Sequence, residues 1–274
     1  MHAYRRARMP PRRRLPSGVT EQPDIAPPGW VSAALQTYLR VYHRHEVRVD
    51  SPVPDRPVLF VCNHGFGGVI DLNVGAFVAA RQAAGVTRPT TAMVHQIAWT
   101  LGVGSVVERF GGTPGSREAA DEAFDAGHHV LVFPGGDVDA GKSWRDRNTI
   151  KFHGSGFARL AQEHHVPIVP VVTAGAGESL LVLSDGQAAA RALRLPKLLR
   201  VKALPLSVSI PWGVNFGVVG LLPYIPLPTK LVTAVMPAIV PDATESPEDL
   251  ADRVRRAMQD RLDALTAGRT PLLG

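Results

Sequence analysis

The stretch VLFVCNHGFGGVID, residues 58–71, sets the reading of the whole chain. Val58 to Cys62 are continuously apolar, the pattern of a strand buried on both faces. Asn63, His64 and the glycines at 65, 67 and 68 then interrupt it before Asp71 opens a helical pattern, DLNVGAFVAARQAAG, that closes at Gly85. A strand covered on both sides needs helices on both sides. The segment therefore predicts an α/β architecture with a layered, mixed, partly parallel sheet flanked by helices.

The rest of the chain repeats the alternation. TTAMVH (90–95) reads as a weaker strand. SREAADEAFDAG, capped at Ser116 and closed by Gly127, reads as a helix leading into the strand HVLVFP. GFARLAQEHH is helical and feeds VPIVPVV, a buried strand whose two prolines predict an edge or irregular position. The last helix has Ser246 as N-cap, Pro247 at its first position, Asp249 as reciprocal cap, and Leu250, Val254, Met258, Leu262 and Leu265 on one stripe. An N-terminal amphipathic helix is expected from about Trp30 to His45, with Trp30, Leu35, Tyr38, Leu39 and Tyr42 on a broad face.

The 274 residues, 45% of them hydrophobic, suffice for one large core. We divide them into a basic tail, residues 1–26, and a single domain, residues 27–274. The tail places six arginines in its first fourteen residues and lacks the apolar core of a secretory signal. Arginines beside anionic head groups contribute about 1 kcal/mol each, so the tail is suited to a lipid surface or is simply solvated. No zinc-finger spacing or RNP-like aromatic motif accompanies the charge, and no nucleic acid is expected as partner. Residues 203–229 carry no formal charge, but five prolines argue against a bilayer span. They read as a buried or interfacial stretch, with Trp212, Phe216 and Tyr224 suited to a water–lipid boundary. The single cysteine, Cys62, excludes an internal disulfide and reads as buried and inert. The pairs His128–His129 and His164–His165 do not converge on a third ligand, so no metal site is expected.

In α/β folds, ligands gather at the carboxyl ends of strands. His64 follows one strand there, Pro134 to Asp137 (PGGD) follows another, and GGTPGSR at Gly111 to Arg117 opens the helix between them. In this order the blocks resemble the glycerolipid acyltransferases. Members of that family carry a His and an Asp separated by about four residues, a Gly-x-x-x-x-Arg block, Phe-Pro-Glu-Gly, and a Val-Pro-Ile-Val-Pro-like strand. The matching residues are His64 with Asp71, Gly112 to Arg117, FPGG at Phe133 to Gly136, and VPIVPV at Val166 to Val171.

The resemblance implies a membrane-associated O-acyltransferase, peripheral at the cytoplasmic face of the cell membrane. It would transfer a fatty acyl group from acyl-CoA or acyl-carrier protein, as co-substrate with no further cofactor, to a hydroxyl of a lysophospholipid or related glycerolipid. His64 and Asp71 would be catalytic, and Gly112, Arg117, Pro134, Gly135, Gly136 and Asp137 would contact substrate, Gly135 and Gly136 through backbone donors to the oxyanion. Two departures bear on this. Six residues separate His64 from Asp71, and a continuous helix would place them about 10 Å apart, so the glycine-rich loop must fold back, unless Asp71 only caps the helix. Gly135 and Val138 stand where the family has its glutamate and usual arginine. Asp137 could replace the carboxylate, and Arg145 or Arg147 the charge; otherwise this is a polar loop, and Arg117 a helix-surface cation. The lost basic residue leaves open a neutral-lipid acyltransferase of the di- or triacylglycerol or wax-ester type, and a non-catalytic lipid-binding relative.

Overall fold

A computed structural model describes residues 24–25, 29–65, 71–94, 104–136, 139, 141–186, 206–216 and 224–274. Ten strands are described: β1 (Glu46–Val49), β2 (Leu59–Cys62), β3 (Thr90–Val94), β4 (Gly112–Pro114), β5 (His129–Val132), β6 (Ile168–Ala174), β7 (Leu181–Ser184), β8 (Leu206–Ser209), β9 (Gly213–Phe216) and β10 (Val232–Val235). The α-helices are α1 (Gly29–Tyr42), α2 (Leu72–Ala83), α3 (Gly104–Arg109), α4 (Arg117–Asp125), α5 (Gly156–Glu163) and α6 (Pro247–Thr266).

Seven strands form the main sheet in the order β1-β10-β6-β2-β5-β3-β4. The strand read first, β2, is its centre. It pairs parallel with both β6 and β5, and the parallel run continues through β3 to β4. β10 joins antiparallel to β6 and carries β1 parallel to itself, so the sheet is mixed and mostly parallel. Residues of β2 alternate between two cores. Leu59 and Val61 face α5 and α6 together with Ala123 and Phe124 of α4, whereas Phe60 and Cys62 face Phe77 and Ala80 of α2. Both faces are thus covered by helices.

β6 lies in the sheet interior, correcting the edge position expected from its prolines. Pro167 precedes the strand. The carbonyl of Pro170 still accepts from Met236 N at 2.9 Å, just beyond the last paired residues of the β10 ladder, where a missing donor costs little. The first helix ends at Tyr42, three residues short of the expected His45, because His43 turns inward to bond Tyr38 and Thr229 and Arg44 takes a left-handed φ of 46°. Its expected apolar face is narrower than read: Leu39 is buried and Leu35 packs over Gly75, but Trp30 is 78% exposed. Packing also begins before residue 27. Asp24 takes two bonds from Arg81 and one from Thr90 N, and Ile25 is buried.

A second, three-stranded antiparallel sheet, β7-β8-β9, follows β6. Its strands β8 and β9 lie within residues 203–229, the stretch read as buried or interfacial.

Candidate active site

The carboxyl ends of the adjacent strands β6, β2 and β5 form one edge, and the loops leaving them meet there. His64 is the second residue after β2. Its Nδ1 lies 2.5 Å from Oδ2 of Asp71, while Oδ1 of the same carboxylate accepts from Asn73 N at 2.7 Å and caps α2. The two readings of Asp71 are therefore both realised, one on each oxygen. The contact brings the two ends of the loop together; residues 66–70 between them, Gly67 and Gly68 included, lie outside the described residues.

Gly65 serves by its size. A Cβ there would lie 2.5 Å from Ala176 Cβ and 2.6 Å from Asn73 Oδ1. The loop is thereby wedged between the turn after β6 and the first turn of α2. Asn63 holds the same junction, donating to Thr173 O at 3.0 Å and accepting from Thr173 N at 2.9 Å.

Behind His64 lies a carboxylate that motif reading missed. Asp139, 1% exposed, accepts from the His64 backbone N–H at 2.7 Å through Oδ2, and from Lys142 Nζ (2.8 Å) and Lys151 N (3.1 Å) through Oδ1. Lys142 is equally buried and donates its other bond to Thr149 O. Asp139 also explains Gly135: a Cβ at that position would meet Asp139 Cβ at 2.2 Å and Lys151 O at 2.3 Å. A carboxylate four residues further along, that of Asp139, thus lies against Gly135. The proposed substitute, Asp137, lies outside the described residues, as does Val138. The visible signal for Asp139 was only its place in a loop after a buried strand.

Burial alone would lower the pKa of the His64 imidazole. The charge and hydrogen bond of Asp71, reinforced by Asp139 and opposed weakly by Lys142, outweigh it and raise the pKa above the ordinary histidine value. The ring packs against Phe133 at 4.5 Å between centroids and remains 22% exposed. With Nδ1 turned to Asp71, Nε2 has no hydrogen-bond partner among the described residues. Such a ring, neutral and donating from Nδ1, presents a lone pair on Nε2 to a proton donor.

The other expected contacts are spread wider. Pro134 and Gly136 stay beside His64 in the turn after β5, but Gly136 N–H donates to Phe133 O at 3.2 Å and Pro134 O accepts from His153 N, so these groups are engaged in the turn itself. Gly136 adopts φ 49°, which suits glycine. Gly112 lies in β4, three strands from β2 or about 14 Å across the sheet. There its missing Cβ admits Val107 of α3. Arg117 opens α4 with its guanidinium 60% exposed, 2.7 Å from Glu163 and 3.9 Å from Asp121. Arg147 stacks over Trp144 and donates to its carbonyl. The histidine pairs are separated: His128 bonds Thr91, His129 accepts from Val58 N, and His164 bonds Asp121. No group of three metal-ligating side chains occurs among the described residues. Cys62 is buried, which pushes its thiol pKa up.

Fold and site together define an α/β protein that presents a histidine–carboxylate pair at the carboxyl edge of its parallel strands. A family model described as Acyltransferase matches residues 40–174, which span β1 to β6 and both partners of the pair. Residues 40–174 thus carry the pattern of this acyltransferase family. An uncharacterized protein of Mycobacterium leprae is 28% identical over 274 residues, covering 94% of this chain and 71% of that protein. The human DGAT1/2-independent enzyme synthesizing storage lipids is 26% identical over 237 residues, covering 85% of this chain and 65% of that protein. The crystal structure of the 1-acyl-sn-glycerophosphate (LPA) acyltransferase PlsC from Thermotoga maritima matches with a TM-score of 0.50 at 17% identity, over 87% of this chain and 81% of that one. It has the same fold.

Proposed function

We propose that the protein transfers a fatty acyl group from the thioester of acyl-CoA or acyl-carrier protein to a hydroxyl of a lysophospholipid or related glycerolipid. The observation that carries this reading is the His64–Asp71 contact, with Nε2 of the ring left for the substrate. His64 takes the hydroxyl proton as the oxygen attacks the thioester carbonyl. The tetrahedral intermediate expels the thiolate as the C–S bond breaks, and the imidazolium returns the proton to that sulfur. Asp71 fixes the tautomer and stabilises the imidazolium; the nucleophile belongs to the acceptor, so no acyl-enzyme is required. The enzyme works as a peripheral protein at the cytoplasmic face of the membrane, where its lipid acceptor resides. Among the described residues no helix is long and apolar enough to cross a bilayer.

A neutral-lipid acceptor of the mono- or diacylglycerol type is the second reading. It is favoured by the engagement of Arg117 with two carboxylates, by Val138 at the family's arginine position, and by the storage-lipid activity named for the human relative. The test is acyl-CoA consumption by wild type and His64→Ala, offered lysophosphatidate, another lysophospholipid, monoacylglycerol and diacylglycerol in parallel. A loss of about 10²–10⁴-fold in the variant is expected. The preferred acceptor decides between the two readings, and no turnover with any of them by a folded wild type would favour a non-catalytic lipid binder.

A further inference from the structure

An antiparallel sheet that uses one face against the protein normally turns polar residues outward. The small sheet does the reverse. Ser207 and Asn215 are paired across β8 and β9 on the buried side, beside Val182, whereas Val208 and Val214, also paired, point outward with Leu183. Val214 is 71% exposed and Leu183 53%. Ile210 and Trp212 continue the surface around the β8–β9 turn, and Ile225, bridged to Ile210, extends it; each is about half exposed. Six large apolar side chains thus share a surface with no charged residue in β8, β9 or their turn.

Basic residues adjoin it in sequence. Between Gly186 and Pro205, the connection from β7 to β8 carries five cationic residues, Arg191, Arg194, Lys197, Arg200 and Lys202, and no acidic one. An apolar surface ending in a tryptophan, joined in sequence to a basic connection, complements an anionic lipid bilayer: apolar side chains enter the acyl boundary, the indole sits at the head groups, and cations meet lipid phosphates. The location is also apt, since β7 follows the turn of Gly175 to Glu178 whose Ala176 packs on Gly65 beside His64.

We infer that the outer face of the β7–β9 sheet is a membrane-docking surface that seats the carboxyl edge of the main sheet against anionic lipid. The inference rests on the acyltransferase reading only for what the docking is for. Its test uses the full chain with phosphatidylcholine vesicles, with and without phosphatidylglycerol, and no acyl donor. Leu183→Asp/Val214→Asp is expected to weaken co-sedimentation with the anionic vesicles about tenfold or more, and Trp212→Ala to weaken it less. Val240→Asp, at an equally exposed valine beside the opposite end of β6, is expected to leave it unchanged. Thermal unfolding matching wild type shows that the variants fold. Unchanged vesicle binding by the folded double variant overturns the inference. So does a wild-type dimer that the double variant dissolves, which would assign the surface to a second copy. In a parallel arm, turnover on a water-dispersed monomeric acceptor is retained by the double variant and turnover on a vesicle-embedded one is lost. Binding that depends on Leu183 and Val214 in a protein without turnover would keep the surface and refute the catalytic reading instead.

Discussion

The edge around His64 and the block from Gly112 to Arg117 are both glycine-rich turns next to parallel strands, yet they are built differently. At His64 the loop is held through Asp71, Asn63, Asp139 and Lys142, and among the described residues Nε2 of the ring has no partner. At Arg117 the side chain that motif reading singles out is itself committed, to Glu163 and Asp121. On the proposed reading the chemistry sits at the centre of the sheet and the acceptor's head group need not be anionic.

The support beneath His64 is where this contrast breaks most readily. Asp139→Ala removes the acceptor of the His64 N–H and strands Lys142, buried and charged. A destabilisation of ~3–5 kcal/mol is expected, read by denaturant unfolding. The added exchange Lys142→Met should recover a large part of it, because no buried charge is then left alone. Gly65→Ala has less room to relax: the new methyl meets Ala176 and Asn73, and a loss of ~1–3 kcal/mol in stability together with most of the turnover is expected. The smallest effect belongs to the other region. Arg117→Ala loses exposed ion pairs worth less than about 1 kcal/mol, and kcat/KM for neutral acceptors should change by less than about threefold. A tenfold or larger loss confined to phosphorylated acceptors would show that Arg117 leaves Glu163 to bind them, and the contrast between the two regions would fail.

Much of the fold was legible because the decisive elements are local. The apolar run of β2, the caps at Asp71, Ser116 and Ser246, and the stripe of α6 each follow from a few adjacent residues, and all are present. The strands β1, β4, β7, β8, β9 and β10 were not read. They are three or four residues long, and β10 is held by pairing with β1 and β6 rather than by any pattern of its own. Pro170 misled because its place at the end of a ladder is a tertiary fact. In the site, the proximity of His64 and Asp71 could be anticipated from the order of the blocks. Asp139 could not, since its partners are a backbone N–H seventy-five residues earlier and a lysine of its own loop.

The central claim is that Asp71 tunes His64 as the base, and a pH profile of kcat/KM for wild type and Asp71→Asn tests it most directly. His64 must be neutral to accept a proton, so activity should rise with pH through its raised pKa, with the acid limb above the ordinary histidine value of about 6.5. Removing the carboxylate charge should lower that pKa and move the limb to lower pH, while the plateau falls. An acid limb at the same pH in both proteins would contradict the account.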